Sequence, residues 1–244
     1  MIFYLGRLSD DFVAALVFLG AITTALLVGI TFHEFSHAFA ADTLGDRLPR
    51  RMGRLTLNPL KHLDPVGTIL MVMIGFGWGK PVPVNPNNTA NPKAALAITA
   101  AAGPLSNFLV AAVAGLPIRL DLVPWISPFN NRAFINLSNA GWSGEEYLGL
   151  YLSSVTLFAV ILGVFNLFPI APLDGFKVAV GLLPQDLSRS FAQLERWGIL
   201  ILLSGLFLIP YATGGQFGIF SIMQPVIRSL LNVFAGVDQE VFVA

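Results

Sequence analysis

The chain has 244 residues, 55% of them apolar and 11% charged, and its 14 basic residues balance 14 acidic ones. A charged share about half that of a soluble domain places it in a membrane, and without net charge or a basic tract nothing suggests nucleic acid. There is no cysteine and there are three histidines, His33, His37 and His62, which excludes disulfides, thiolate metal sites and the histidine-rich membrane di-iron desaturases.

In chain order, the N-terminal MIFYLGRLSDD lacks a basic n-region and a small-x-small cleavage site, so it is expected to be kept. The first apolar run, about residues 11–42, is long enough to cross a bilayer and contains TFHEFSHAFA at 31–40. An H-E-x-x-H on a helix puts His33 and His37 one turn apart on the same face. Two imidazoles so placed can share one zinc, with Glu34 beside them as general base. The bland alternative is a polar helix end solvated among headgroups. Three titratable residues in one apolar helix argue against it, because ionisable groups are costly there and are functional by default.

The loop at 43–64 carries Arg47, Arg50, Arg51, Arg54 and Lys61, against Arg7 alone in the N-terminal tail. The positive-inside rule then puts this loop in the cytosol and the N-terminus outside. His33 should lie about nine residues, roughly 13 Å, from the cytosolic end of its helix.

The next apolar stretch, 66–78, is too short for a span of about 20 residues. If it crossed, the loops holding Lys177, Arg189 and Arg196 would fall outside, against the charge rule. It is therefore expected to enter and return on the cytosolic side. GFGWGKPVPVNPNN fits a re-entrant loop with extended strands, and 66–88 is expected to line a cavity, where irregular backbone is tolerated. Val82 and Val84 alternate with proline as an edge strand could, offering an edge for a substrate strand to pair with; a structural hairpin is the equal alternative.

Residues 94–118 run outward, 119–146 form a polar outer loop, 147–169 run inward, and 194–211 is long enough to span. Residues 216–235, interrupted by Pro225 and Arg228, could span or lie in the interface. The expected fold is an all-α polytopic membrane protein of about five (four to six) transmembrane helices. A re-entrant or β-strand membrane loop separates the first two long helices. The chain reads as one integral domain, 1–244, with a core at about 11–185 and C-terminal helices at 190–244.

With thiolates excluded, a third zinc ligand must be His62 or a carboxylate. At the inner end of the 147–169 helix the sequence reads NLFPIAPLDGFK, where Pro169 and Pro172 break the helix and Asp174-Gly175 follows. Alone, Asp174 reads as a turn aspartate, which D-G commonly marks. With HEFSH present, topology returns it to the histidine side as a carboxylate ligand. His62, in the charged loop, reads as a gate or structural hydrogen-bonder. Asn107 and Asn166 are amides in apolar segments, where burial without a partner is costly. Either could hydrogen-bond an oxyanion or substrate backbone, or only tie helices together; Asn166 is the stronger catalytic candidate.

HEFSH at 33–37, AGPLSN at 102–107 and NLFPIAPLDG at 166–175 together resemble the site-2 protease family of intramembrane metalloproteases. Its pattern is H-E-x-x-H on one helix and N-x-x-P-x-x-x-x-D-G on another, and Asn166, Pro169, Asp174 and Gly175 fall on the second. LNPLKHLDPVGTI and WGKPVPVNP also resemble the family's membrane loop and strands, so the resemblance covers roughly 20–185. It implies one zinc per chain held by His33, His37 and Asp174, Glu34 activating water, and cleavage of transmembrane protein substrates. It also implies a compact prokaryotic form, a multi-pass protein of the plasma membrane, and the cation-rich 43–64 loop turns its active site towards the cytosol. The chain departs from the family in lacking helices before the H-E-x-x-H helix and a PDZ-like domain, as a compact version would. The competing classes are a non-catalytic membrane binder keeping the fold, against which Glu34 stands intact, and a metal transporter. A transporter would favour acidic or histidine positions along a path, whereas one cluster stands here at one depth.

Overall fold

The structure, a computed structural model, describes residues 12–74, 78–129 and 141–238. Expectations for the N-terminal tail, for 75–77 of the short apolar segment, for 130–140 of the outer loop and for 239–244 lie outside the described residues. Helix α1 spans Phe12–Thr43, α2 Leu48–Arg51, α3 Pro65–Ile74, α4 Pro92–Arg119, α5 Gly144–Asn166 and α6 Asp174–Leu182. Helix α7 runs Gln185–Ala212 through a tightened 3-10 stretch and a π-turn, and α8 spans Ile219–Ala235. Among the described residues α1, α4, α5 and α7 are long and apolar enough to cross a membrane. The molecule is an all-α polytopic membrane protein.

Local chemistry sets the helix starts. Asn91 caps α4 by accepting from Ala94 N–H, with Pro92 in the first turn. Ser143 and Glu146 form a capping box at the start of α5. Helix α4 sits centrally, packed on α1, α5, α6 and α8. In lipid, helices gain little from mutual apolar contact, so close packing and hydrogen bonds must hold them. Ala21 and Ala25 of α1 accordingly meet Ala114 of α4 and Val155 of α5. Tyr151 Oη–H donates to Thr24 Oγ1 at 2.7 Å, joining α5 to α1.

The segment at 216–235, open between span and interface in the sequence, holds a 17-residue helix, Ile219–Ala235, with one face packed against the bundle. Ile219, Met223, Ile227 and Leu231, four apart, bury one stripe in a cluster with Leu157, Val160 and Val164 of α5. Arg119 donates to the Asn232 and Val233 carbonyls at 2.8 and 2.6 Å, tying the end of α8 to the end of α4. At the opposite end of α4, Lys93 Nζ donates to the Leu183 carbonyl, and Gly181 of α6 meets Ala97. The bundle therefore has two distinct ends. The loop after α1, the start of α4 and the end of α6 share the cation-rich one.

The membrane loop differs in detail from expectation. Residues 65–74 form a helix of 10 residues, too short to cross a core of about 30 Å. Its approach and return are paired: Leu63 and Gly79 form an antiparallel bridge, and Lys80 N–H donates to the His62 carbonyl at 2.7 Å. The excursion thus comes back to its own starting end. No continuous strand forms among the described residues. Pro81 and Pro83 carry no N–H, so KPVPVN cannot sustain a ladder.

Candidate metal centre

Helix α1 brings His33 and His37 to one buried face, their rings 4.6 Å apart and nearly perpendicular. Opposite them the break at NLFPIAPL lets the chain restart as α6, whose first residue is Asp174. Asp174 Oδ2 lies 2.9 Å from His33 Nε2 and 3.1 Å from His37 Nε2. One ligand atom from each of the three residues falls within 4.8 Å of the others. Two imidazole nitrogens and a carboxylate oxygen are a donor set suited to zinc, leaving a position open for catalysis.

The surroundings fit a metal as well. His37 Nδ1–H donates to the Thr99 carbonyl at 2.7 Å; a carbonyl only accepts, so the bond assigns the ring proton to Nδ1 and turns Nε2 inward. His33 Nδ1 meets the Asn107 amide at 3.0 Å. On α4, a Cβ built at Gly103 would stand 2.5 Å from His37 Nε2 and 2.7 Å from His33 Nε2. The absence of a side chain there keeps space open beside both nitrogens. In the sequence AGPLSN stood only as part of a resemblance; the space beside the imidazoles shows where Gly103 bears on the site.

Glu34 faces the return of the membrane loop. Its Oε2 accepts from Val82 N–H at 3.0 Å, and Gly79 lies against Ile30 and Glu34. Val82 N–H, between the two prolines, is therefore engaged and not free for strand pairing. The loop is anchored at two points. Arg54, 6% exposed, donates to the Lys61 and Lys80 carbonyls and to Pro81 O at 2.9 Å. Asp46, fully buried, accepts from Asn85 N–H and from Asn88 Nδ2, each at 2.7 Å. In the sequence Arg54 counted only as a topogenic charge and Asp46 as nothing; no spacing signal marks either.

The remaining candidates separate. His62 is buried with Nε2–H on the Thr56 carbonyl at 2.7 Å, a structural hydrogen bond of the loop rather than a member of the cluster. Asn166 donates to the Leu162 carbonyl at 2.9 Å, one turn back in its own helix. The amide that reaches the cluster, at His33, is Asn107. Lys177 Nζ lies 3.8 Å from Asp174 Oδ1, the carboxylate oxygen turned away from the imidazoles.

The chain is 32% identical over 221 residues to YwhC of Bacillus subtilis, a protein named as a presumed zinc metalloprotease, covering 88% of this chain and 90% of that one. It is 32% identical over 208 residues to Rip2 of Mycolicibacterium smegmatis, whose name carries the same presumption, covering 81% of this chain and 71% of the relative. Rip2 of Mycobacterium tuberculosis, named likewise, is 26% identical over 218 residues, 88% of this chain and 78% of its own. No protein-family model matches the chain, and no solved structure matches it.

Proposed function

Because the chain belongs to the site-2 protease family, we propose that it is a zinc-dependent intramembrane endopeptidase that hydrolyses peptide bonds within transmembrane segments of substrate proteins. The observation that carries this reading is the convergence of His33, His37 and Asp174 inside a bundle of membrane-length helices, with Glu34 adjacent to the first of them. The three residues would hold one zinc. When bound, the metal supplies Lewis acidity, lowering the pKa of a water towards neutrality and offsetting charge on the attacked carbonyl.

Glu34 removes the proton of the attacking water and passes it to the leaving amine. Val82 N–H holds one of its carboxylate oxygens, which orients the other. Thr99 and Asn107 hold the histidine rings from behind. Asn166 is the proposed donor to the substrate's carbonyl oxygen, a role for which its NH2 must leave the Leu162 carbonyl. The substrate must unwind locally, because a carbonyl within an intact helix is already engaged and shielded.

The protein is placed in a prokaryotic plasma membrane with its cation-rich end in the cytosol. Its site opens to that side, so spans are cut towards their cytosolic ends. The test is incubation of purified protein with a panel of single-span substrates. Cleavage should occur, stop with chelator and return with zinc. Glu34→Gln should reduce it at least about 100-fold, the low end for a positioned general base, while keeping the metal. Undiminished cleavage by Glu34→Gln would remove Glu34 as base, and chelator-insensitive cleavage would remove the metalloprotease reading.

A further inference from the structure

We propose that Asn107 is a positioning residue for His33, presenting its side-chain oxygen to His33 Nδ1–H and so holding the ring in the tautomer that leaves Nε2 free for a metal. The inference rests on the zinc reading above and deepens it.

Asn107 lies on α4 and is fully buried, with its amide 3.0 Å from His33 Nδ1. As oriented, the NH2 faces the ring, and Oδ1 is buried without a hydrogen-bond partner. That orientation requires an acceptor at Nδ1, which puts the ring proton on Nε2, the nitrogen that faces Asp174 Oδ2 at 2.9 Å. A protonated Nε2 has no lone pair to give a metal. Turning the amide by 180° exchanges oxygen and nitrogen in nearly the same envelope. Either way the outer amide atom faces Gly29 of α1, where a built Cβ would lie 3.7 Å from it. The partner that decides the orientation is therefore the imidazole. Ligand histidines almost always donate their second N–H to an acceptor. His37 has such an acceptor in the Thr99 carbonyl; for His33 the side chain bonded to Nδ1 among the described residues is Asn107. One histidine is thus held by backbone, which cannot change, and the other by an amide, which can.

The experiment compares the full-length protein with Asn107→Leu and Asn107→Asp in detergent. It reads zinc affinity by chelator competition, the electronic spectrum of the cobalt(II)-substituted protein, and the melting temperature. Asn107→Leu should bind zinc about 10- to 100-fold more weakly, the usual cost of losing the group behind a ligand. Asn107→Asp keeps an acceptor at Nδ1 and should recover most of that affinity, with shifted cobalt bands as the ring becomes more electron-rich. Wild-type affinity in Asn107→Leu with only a lower melting temperature would reduce Asn107 to a helix tie. A loss of about 10-fold or more in Asn107→Asp, measured against wild type, would overturn the acceptor orientation, and this arm stands alone should Asn107→Leu not fold. Wild-type protein that holds no zinc would sink the metal reading and this proposal together. Zinc-loaded wild-type protein without proteolysis would sink only the protease reading, leaving the Asn107 comparison legible.

Discussion

Gly103 lies where α4 crosses α1, and a methyl group there would stand 2.5 Å from His37 Nε2 and 2.7 Å from His33 Nε2. Alanine is favoured over glycine inside a helix by about 1 kcal/mol, so Gly103→Ala sets the metal site and the fold against each other. We expect its zinc content to fall to a small fraction of wild type while the helical far-ultraviolet spectrum is unchanged, measured by elemental analysis beside circular dichroism. Full metal content in Gly103→Ala would show that the space beside the imidazoles is not where the ion sits. His33→Ala, His37→Ala and Asp174→Ala should each lower an occupancy of one zinc per chain at least about tenfold, the low end of losses seen even for a supporting residue. Metal retention in Asp174→Ala alone would pass the third place to another group. The three candidate ligands were legible as residues because each sits in a motif with its own chemistry. Asn107 was legible only as a costly buried amide; that its partner is His33 required the crossing of two helices.

Among the elements, the loop between α1 and α4 depends most on tertiary anchoring. Its short helix and extended return have few ladder bonds of their own, and Asp46 and Arg54 substitute for them. Burial works to raise the Asp46 pKa, but hydrogen bonds from Asn88, Asn85 N–H and Leu48 N–H hold it below the ordinary 3.8, against the charge of Asp42. A depressed folded pKa means the carboxylate's contribution is fully present above about pH 4 and is lost as the pH falls through the folded value. Asp46→Asn should therefore destabilise the protein at pH 7 by on the order of 1–3 kcal/mol, since donors lose a buried charged partner. The gap to wild type should narrow below pH 4. Melting curves of the two proteins across pH 3–7 test this, and a gap that stays constant would deny the ionised Asp46 its anchoring role. Proteolysis within 80–88 should rise in parallel. The sequence showed that this segment could not cross. It did not show a helix at 65–74, because glycines and prolines on its flanks outweighed a ten-residue apolar run.

For the whole molecule the testable quantity is orientation. Arg47, Arg50, Arg51, Lys93 and Lys177 belong to the end of the bundle where α1 finishes and α4 begins, whereas Arg119 and Arg228 belong towards the other. With no native cysteine, single cysteines give clean accessibility readouts. Cysteine at 50 or at 187 should label only from the cytosol, and cysteine at 121 only from outside, in intact cells and inverted vesicles. Labelling of residue 50 from outside alone would reverse the proposed orientation. Product masses mapping to the outer third of a substrate span would contradict the proposed depth of the site.

Composition and periodicity by themselves determined that this chain is a helical membrane protein, because apolar runs of bilayer length have few other stable fates. The paired motifs determined which residues could hold a metal, since imidazoles one turn apart and a carboxylate after a helix break are local facts. Where one run is short or interrupted, local pattern is ambiguous; the helix at 219–235 is fixed against the bundle through the one stripe it buries against α5. Which groups stand behind the histidines, what space Gly103 leaves and what holds the loop over Glu34 were decided by tertiary structure alone. These are contacts between segments from about 50 to about 75 residues apart in the chain, and their partners are backbone carbonyls, amides and absent side chains. None of those carries a spacing that a linear sequence can display.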